Sequence, residues 1–236
     1  NAPKNATEKA FQQNFVKELT HYKWNAPDYL DGNKQTVTVQ DLVNNWRREL
    51  NRINADQLEG VELTDGEFKQ VMAKVSLISN SYEAAKILAI EESKGKIDGI
   101  YRDDNPKITR KQITLTIFKK AEVRGGDSSY QIAREIQTPN GNRFDIVLLI
   151  NGLPLINIEQ KRTDKSLDEA FGQFQRYYRD GEYTNNFMAF SQMMVVTTEI
   201  ETRYFATPKS VDEFNPSFVF HWSDKENKPI NNWQHV

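Results

Sequence analysis

Apolar residues recur at helical spacing through the first third of the chain and then change to strand spacing. Over 7–22 (TEKAFQQNFVKELTHY), Phe11, Phe15 and Leu19 stand four apart and predict one apolar helix face. Leu42, Trp46 and Leu50 repeat the pattern over 39–55. Thr64 and Glu67 have capping-box spacing and predict a helix start for 64–75, with a further short helix over 81–91. From about residue 111 the period falls to two, with Ile113, Leu115 and Ile117 alternating in QITLTIFKK. YQIAREIQ reads as a second strand, and RFDIVLLI is a nearly continuous apolar run after the turn TPNGN. Asn151-Gly152 is hairpin chemistry, and LPLINIEQKR is the returning strand. Residues 166–180 read as a helix opened by Ser166 and Glu169, FMAFSQMMVVTT as a later strand and FVFHW as a short last one.

This order predicts one α/β domain over 1–236, helical to about 105, with a sheet-containing core over about 106–236 and a mixed central sheet flanked by helices. No internal repeat or low-complexity tract interrupts it.

Two strands carry charge where a core strand should not. Asp145 interrupts an apolar run, and Glu159-Gln160-Lys161 ends the next strand. A carboxylate in such a place is costly unless a positive charge compensates it. Mg²⁺ suits the site, since it prefers hard oxygen ligands and takes one or two protein carboxylates while keeping several waters. Asp145, Glu159 and the Gln160 carbonyl are the candidate ligands. Lys161, two residues beyond Glu159, shares its face of the strand and can offset phosphate charge. A metal, a water and an ammonium are the requirements of phosphodiester hydrolysis.

That reading makes a geometric demand. A plain two-residue loop at Asn151-Gly152 would set Asp145 opposite Ile158, and the two carboxylates would then face opposite sides of the sheet. Convergence requires a three-residue connection or a β-bulge between the two positions, and Pro154 eases such an irregularity. On the following helix Gln173 and Tyr177, four apart, share one face, suited to positioning DNA through phosphate oxygens. An amphipathic helix with Tyr177 in the core and Gln173 at its border is the structural alternative. Arg162, Lys165, Arg176 and Arg179 supply a basic rim.

Composition narrows the classes without choosing among them. Hydrophobic residues make up 38% and charged residues 27%, as in a folded soluble protein. The absence of cysteine excludes disulfides, thiolate metal sites and a cysteine nucleophile. No apolar run is long enough to cross a membrane, and the first residues lack a signal-peptide pattern, so a cytoplasmic location is expected. A net charge of −2 gives no global sign of a nucleic-acid partner, although a local basic stripe is enough to hold phosphates. His21, His221 and His235 lie in separate segments without ligand spacing, which weighs against a small-molecule hydrolase built on them.

Asp145 followed after a turn by Glu159-Gln160-Lys161 resembles the PD-(D/E)XK nuclease motif. Gln173-Phe-Gln-Arg-Tyr177 resembles the Q-x-x-x-Y element that accompanies it in RecB-type nucleases and type I restriction enzymes. With LTDGEF, NRFDIVLLINGLPLINIEQKR, FMAFSQMMVVTT, RYFAT and FVFHWSD, the chain is most similar to the N-terminal nuclease region of the type I restriction R subunit. The likeness extends from about residue 45 onward. It implies Mg²⁺-dependent cleavage of double-stranded DNA in defence against foreign DNA, coupled to an ATP-driven motor and to methyltransferase and specificity subunits. No G-x-x-x-x-G-K-[ST] loop is present, so a fragment of a longer protein is expected, its ATP-binding part lying elsewhere. The family also implies a first-helix acid near the site. Gln12 falls there and Glu8 lies one turn earlier, while Phe144 stands where the motif's name has Pro. A RecB-type or repair nuclease, or a non-catalytic DNA-binding domain of the same fold, are the competing readings.

Overall fold

The computed structural model describes residues 6–89, 95–118, 127–163 and 167–230. Four helices come first: α1 (Ala6–His21), α2 (Val39–Ile53), α3 (Asp65–Val75) and α4 (Ser81–Ala89). The strands are β1 (Val37–Thr38), β2 (Lys96–Tyr101), β3 (Gln112–Thr116), β4 (Tyr130–Gln137), β5 (Arg143–Ile150), β6 (Leu153–Gln160), β7 (Met193–Thr197), β8 (Thr202–Ala206) and β9 (Phe220–His221), with α5 (Leu167–Arg179) between β6 and β7. The expected mixed α/β fold is present. Ser166, the expected cap of α5, lies outside the described residues, as do Lys165 and His235.

Among the described residues, seven strands form one sheet in the order β1-β4-β5-β6-β7-β8-β9, and β2 with β3 forms a separate pair. β6 and β7 run parallel, as do β1 and β4, and the other neighbours are antiparallel. The β6–α5–β7 crossover packs α5 on β7, the parallel neighbour of the strand that carries Glu159.

Local chemistry fixes the helix starts. Thr38 caps α2 in a capping box with Asp41, and Thr64 caps α3 with Glu67, as its spacing predicts. The sheet buries both faces. The larger core joins α2–α5 to Phe144, Val147, Leu149 and Leu153, and a smaller cluster under α1 contains Val16, Ile132, Ile146, Leu148, Ile158 and Val195. Part of the expected strand FMAFSQMMVVTT folds otherwise: Phe187–Phe190 is a 3-10 turn opened by Asn186, whose side chain accepts from Met188 N. Strands β2 and β8 were not anticipated from the alternation.

The β5–β6 hairpin turns through Asn151 (φ 51°) and Gly152 (φ 78°), the two left-handed positions of a type I′ turn. A Cβ on Gly152 would also come within 2.8 Å of Trp46 Cα, so α2 leans on the turn at glycine's own radius. Gly152→Ala is expected to destabilise the fold by about 2–4 kcal/mol through left-handed strain and overpacking, read by urea unfolding. A loss under about 1 kcal/mol would show that α2 can retreat from the turn.

Candidate active site

The two candidate strands meet with a one-residue slip. Ile150 pairs with Leu153 and Leu149 with Pro154, but Leu148 pairs with Ile156, leaving Leu155 as the extra residue of a bulge. The demand made by the sequence is met by the bulge rather than by a longer turn. Below it Ile146 pairs with Ile158, so the next pair outward is Asp145 with Glu159. The Gln160 backbone N–H donates to Asp145 Oδ2 at 2.9 Å, tying the two strands together at this level. Asp145, Glu159 and Gln160 are all buried.

Helix α5 closes the site from one side. Lys161 Nζ donates to Gln173 Oε1 at 2.7 Å, Gln173 Nε2 donates to Glu159 Oε2 at 2.6 Å, and Lys161 Nζ lies 3.8 Å from the same carboxylate oxygen. Lysine only donates and an ionised glutamate only accepts, so this arrangement allows the Gln173 amide a single orientation. Gln173 also donates to the Tyr177 hydroxyl, which donates to the Arg143 carbonyl at 2.7 Å. Burial above all, then the charge of Glu159 and to a smaller extent that of Asp145, raises the Tyr177 pKa well above the usual phenol value, while the Gln173 hydrogen bond lowers it.

The Tyr177 ring is fully buried against Phe144 and Phe174. The structural alternative for α5 thus describes the ring, while Gln173 lies at the border and reaches the carboxylate. Both side chains are engaged with protein groups of the site. Arg162, Arg176 and Arg179 are exposed.

Helix α1 approaches from the other side. Gln12 is buried, donates to Glu135 Oε1 at 2.7 Å and to the Asp145 carbonyl at 3.4 Å, and accepts from Asn33 Nδ2 at 3.1 Å. Glu8 lies apart from this contact, lining a cavity of about 150 Å³ with Thr7, Phe11, Gln160, Lys161 and Arg162. Neither polar atom of the Gln160 side chain has a hydrogen-bond partner. Of the two first-helix candidates, Gln12 touches the strand that carries Asp145. The sequence reading missed Glu135, which pairs with Arg143 at 3.0 Å, because it sits inside the second apolar strand without a motif around it.

Among the described residues, no group of three or more His, Cys, Asp or Glu side chains is placed to hold a metal. A cation here would rest on two carboxylates, backbone oxygen and water, a donor set that suits Mg²⁺ better than Zn²⁺. The fold and site thus define a class: a mixed sheet whose central hairpin presents two buried carboxylates and a lysine.

Residues 5–213 match the family described as type I restriction enzyme R protein N terminus, and the chain belongs to that family. It is 35% identical over 205 residues to the endonuclease subunit of type I restriction enzyme SauCOLORF180P from Staphylococcus aureus (strain COL), covering 85% of this chain and 20% of that protein. It is 33% identical over 202 residues to the SsaAORF53P endonuclease subunit of Staphylococcus saprophyticus, covering 84% of this chain and 20% of that protein. The Escherichia coli EcoprrI endonuclease subunit is 25% identical over 225 residues, 85% of this chain and 66% of that protein. The chain thus spans about a fifth of the length of the staphylococcal relatives. No described helix is long and apolar enough to cross a membrane.

Burial pushes the Tyr178 hydroxyl up to about 12 and raises Tyr177 and Tyr183 as well. Of the nine tyrosines, these three are expected to stay protonated above the pH at which a free phenol ionises. Absorbance titration should therefore be the same for Tyr177→Phe and wild type below about pH 11. Loss of one tyrosinate equivalent in that range would contradict the buried, hydrogen-bonded hydroxyl.

Proposed function

We propose that this chain is the DNA-cleaving module of a type I restriction R subunit, hydrolysing phosphodiester bonds of double-stranded DNA with Mg²⁺ held by Asp145, Glu159 and the Gln160 carbonyl. The supporting observation is the bulged register that sets Asp145 level with Glu159, with Lys161 tied to Glu159 through Gln173. Mg²⁺, when bound, supplies Lewis acidity toward the phosphate and lowers the pKa of coordinated water.

The protein's own groups do the rest. Lys161 offsets the negative charge that develops on the phosphate, and Gln173 keeps the ammonium from collapsing onto Glu159. Tyr177 anchors the Arg143 carbonyl and so the strand that carries Asp145. Gln173 and Tyr177 position DNA through the groups they hold, and the exposed Arg162, Arg176 and Arg179, with Lys165, contact backbone phosphates without reading sequence. The relatives named above are endonuclease subunits of type I restriction enzymes, which favours this reading over a RecB-type or repair nuclease.

The rest of the activity belongs to the longer protein. An ATP-driven motor delivers DNA to this single nuclease domain in the cytoplasm, and methyltransferase and specificity subunits complete the complex that acts against foreign DNA. In the assembled enzyme, Asp145→Ala, Glu159→Ala and Lys161→Ala should each reduce DNA cleavage by about 10²–10³-fold or more and leave ATP hydrolysis intact. Gln173→Ala should reduce cleavage less. Cleavage at the wild-type rate in either carboxylate variant would remove this reading.

A further inference from the structure

Directly across from Asp145 on β4 stands a residue that neither the motif nor the proposed chemistry uses. Glu135 is buried and has a left-handed backbone, φ 52°, which a non-glycine residue adopts at a cost of about 1 kcal/mol or more. Arg134 pairs with Ile146 and Ile136 with Phe144, so Glu135 lies level with Asp145.

Alternation slips at this level on both strands. Ala133 and Ile136 both belong to the larger core, and so do Phe144 and Val147, while Ile132 and Ile146 face α1. Regular alternation would send the residue two beyond Ala133 into the larger core beside α5. The left-handed residue instead turns the Glu135 carboxylate toward α1, where it accepts from Gln12 and pairs with Arg143. Gln12 in turn reaches the Asp145 carbonyl.

The segment before β1 is shaped around this kink. Gly32 N donates to the Arg134 carbonyl at 2.9 Å, and a Cβ at Gly32 would stand 2.4 Å from the Glu135 carbonyl oxygen and 2.7 Å from Glu135 Cβ. A strained, buried acid held from three directions at the level of a candidate ligand is a device for setting that ligand.

We propose that Glu135 is a positioning residue for the candidate cation site: its left-handed kink and its bonds to Gln12 and Arg143 set the angle at which Asp145 meets Glu159. The proposal rests on Asp145 and Glu159 as cation ligands, and it assigns Glu135 no contact with the cation. Strain separates it from a purely structural role. Glycine adopts φ 52° freely, so Glu135→Gly relieves the backbone while removing the carboxylate that anchors the kink.

The test is Mn²⁺ binding by calorimetry and thermal unfolding of this chain, in wild type, Asp145→Asn, Glu135→Gly and Glu135→Gln. Mn²⁺ should bind wild type and fail to bind Asp145→Asn. Glu135→Gly should bind about tenfold more weakly with its Tm within about 3 °C of wild type, and Glu135→Gln should fall between. Wild-type affinity in both Glu135 variants, with binding still lost in Asp145→Asn, would overturn the proposal and leave the nuclease reading standing. A Glu135→Gly chain that unfolds many degrees earlier would make Glu135 a structural residue and also overturn it. Mn²⁺ binding absent from wild type, or unchanged in Asp145→Asn, would remove the nuclease reading and this proposal with it.

Discussion

Two carboxylates buried on neighbouring strands are the constraint around which the rest of the molecule is arranged. Each loses hydration on entering the sheet, and two like charges at close range raise the cost further. The fold concentrates compensating groups on them: the Gln160 N–H donates to Asp145 and the Gln173 amide to Glu159, with the Lys161 ammonium 3.8 Å from Glu159. The bulge at Leu155 makes the arrangement possible, since without it the same sequence would send the two acids to opposite faces. One extra residue in one strand thus separates a site from a pair of isolated buried charges.

Rigidity at this level comes from both faces of the sheet. From α5, Tyr177 grips the Arg143 carbonyl; from α1, Gln12 reaches the Asp145 carbonyl two residues on. The hairpin turn is held at its far end by α2, with Trp46 packed between Gly152 and Phe187, its ring 5.1 Å from the phenyl ring. The side chains that matter therefore stand on strands packed on both sides rather than on loops, which favours a fixed geometry for chemistry.

Much of this was legible in the sequence, because its signals are local. The helix faces, the capping box at Thr64, the Asn-Gly turn and the need for a bulge all follow from residue type and period. What escaped notice had the wrong apparent period. In β2 the buried Ile97 and Ile100 stand three apart across an irregularity at Asp98-Gly99, and in β8 the buried Thr202 and Phe205 also stand three apart, so neither alternates as a strand should. In FMAF all four residues are buried, and an apolar run that short carries no period at all. Glu135 was hidden for another reason: its neighbours Gly32, Gln12 and Arg143 are distant in sequence or across a strand. Gln12 and Glu8 could not be ranked from a helix pattern alone, since only the packing of α1 on the sheet decides which turn meets Asp145.

Metal-dependent cleavage by this chain requires Asp145 and Glu159 to form one cation site. Crystals soaked in Mn²⁺ and measured at the manganese absorption edge test it most directly. One anomalous peak is expected between the two carboxylates, within about 2.0–2.4 Å of an oxygen from each. A peak bound by only one of them, or none at this level of the sheet, would contradict it.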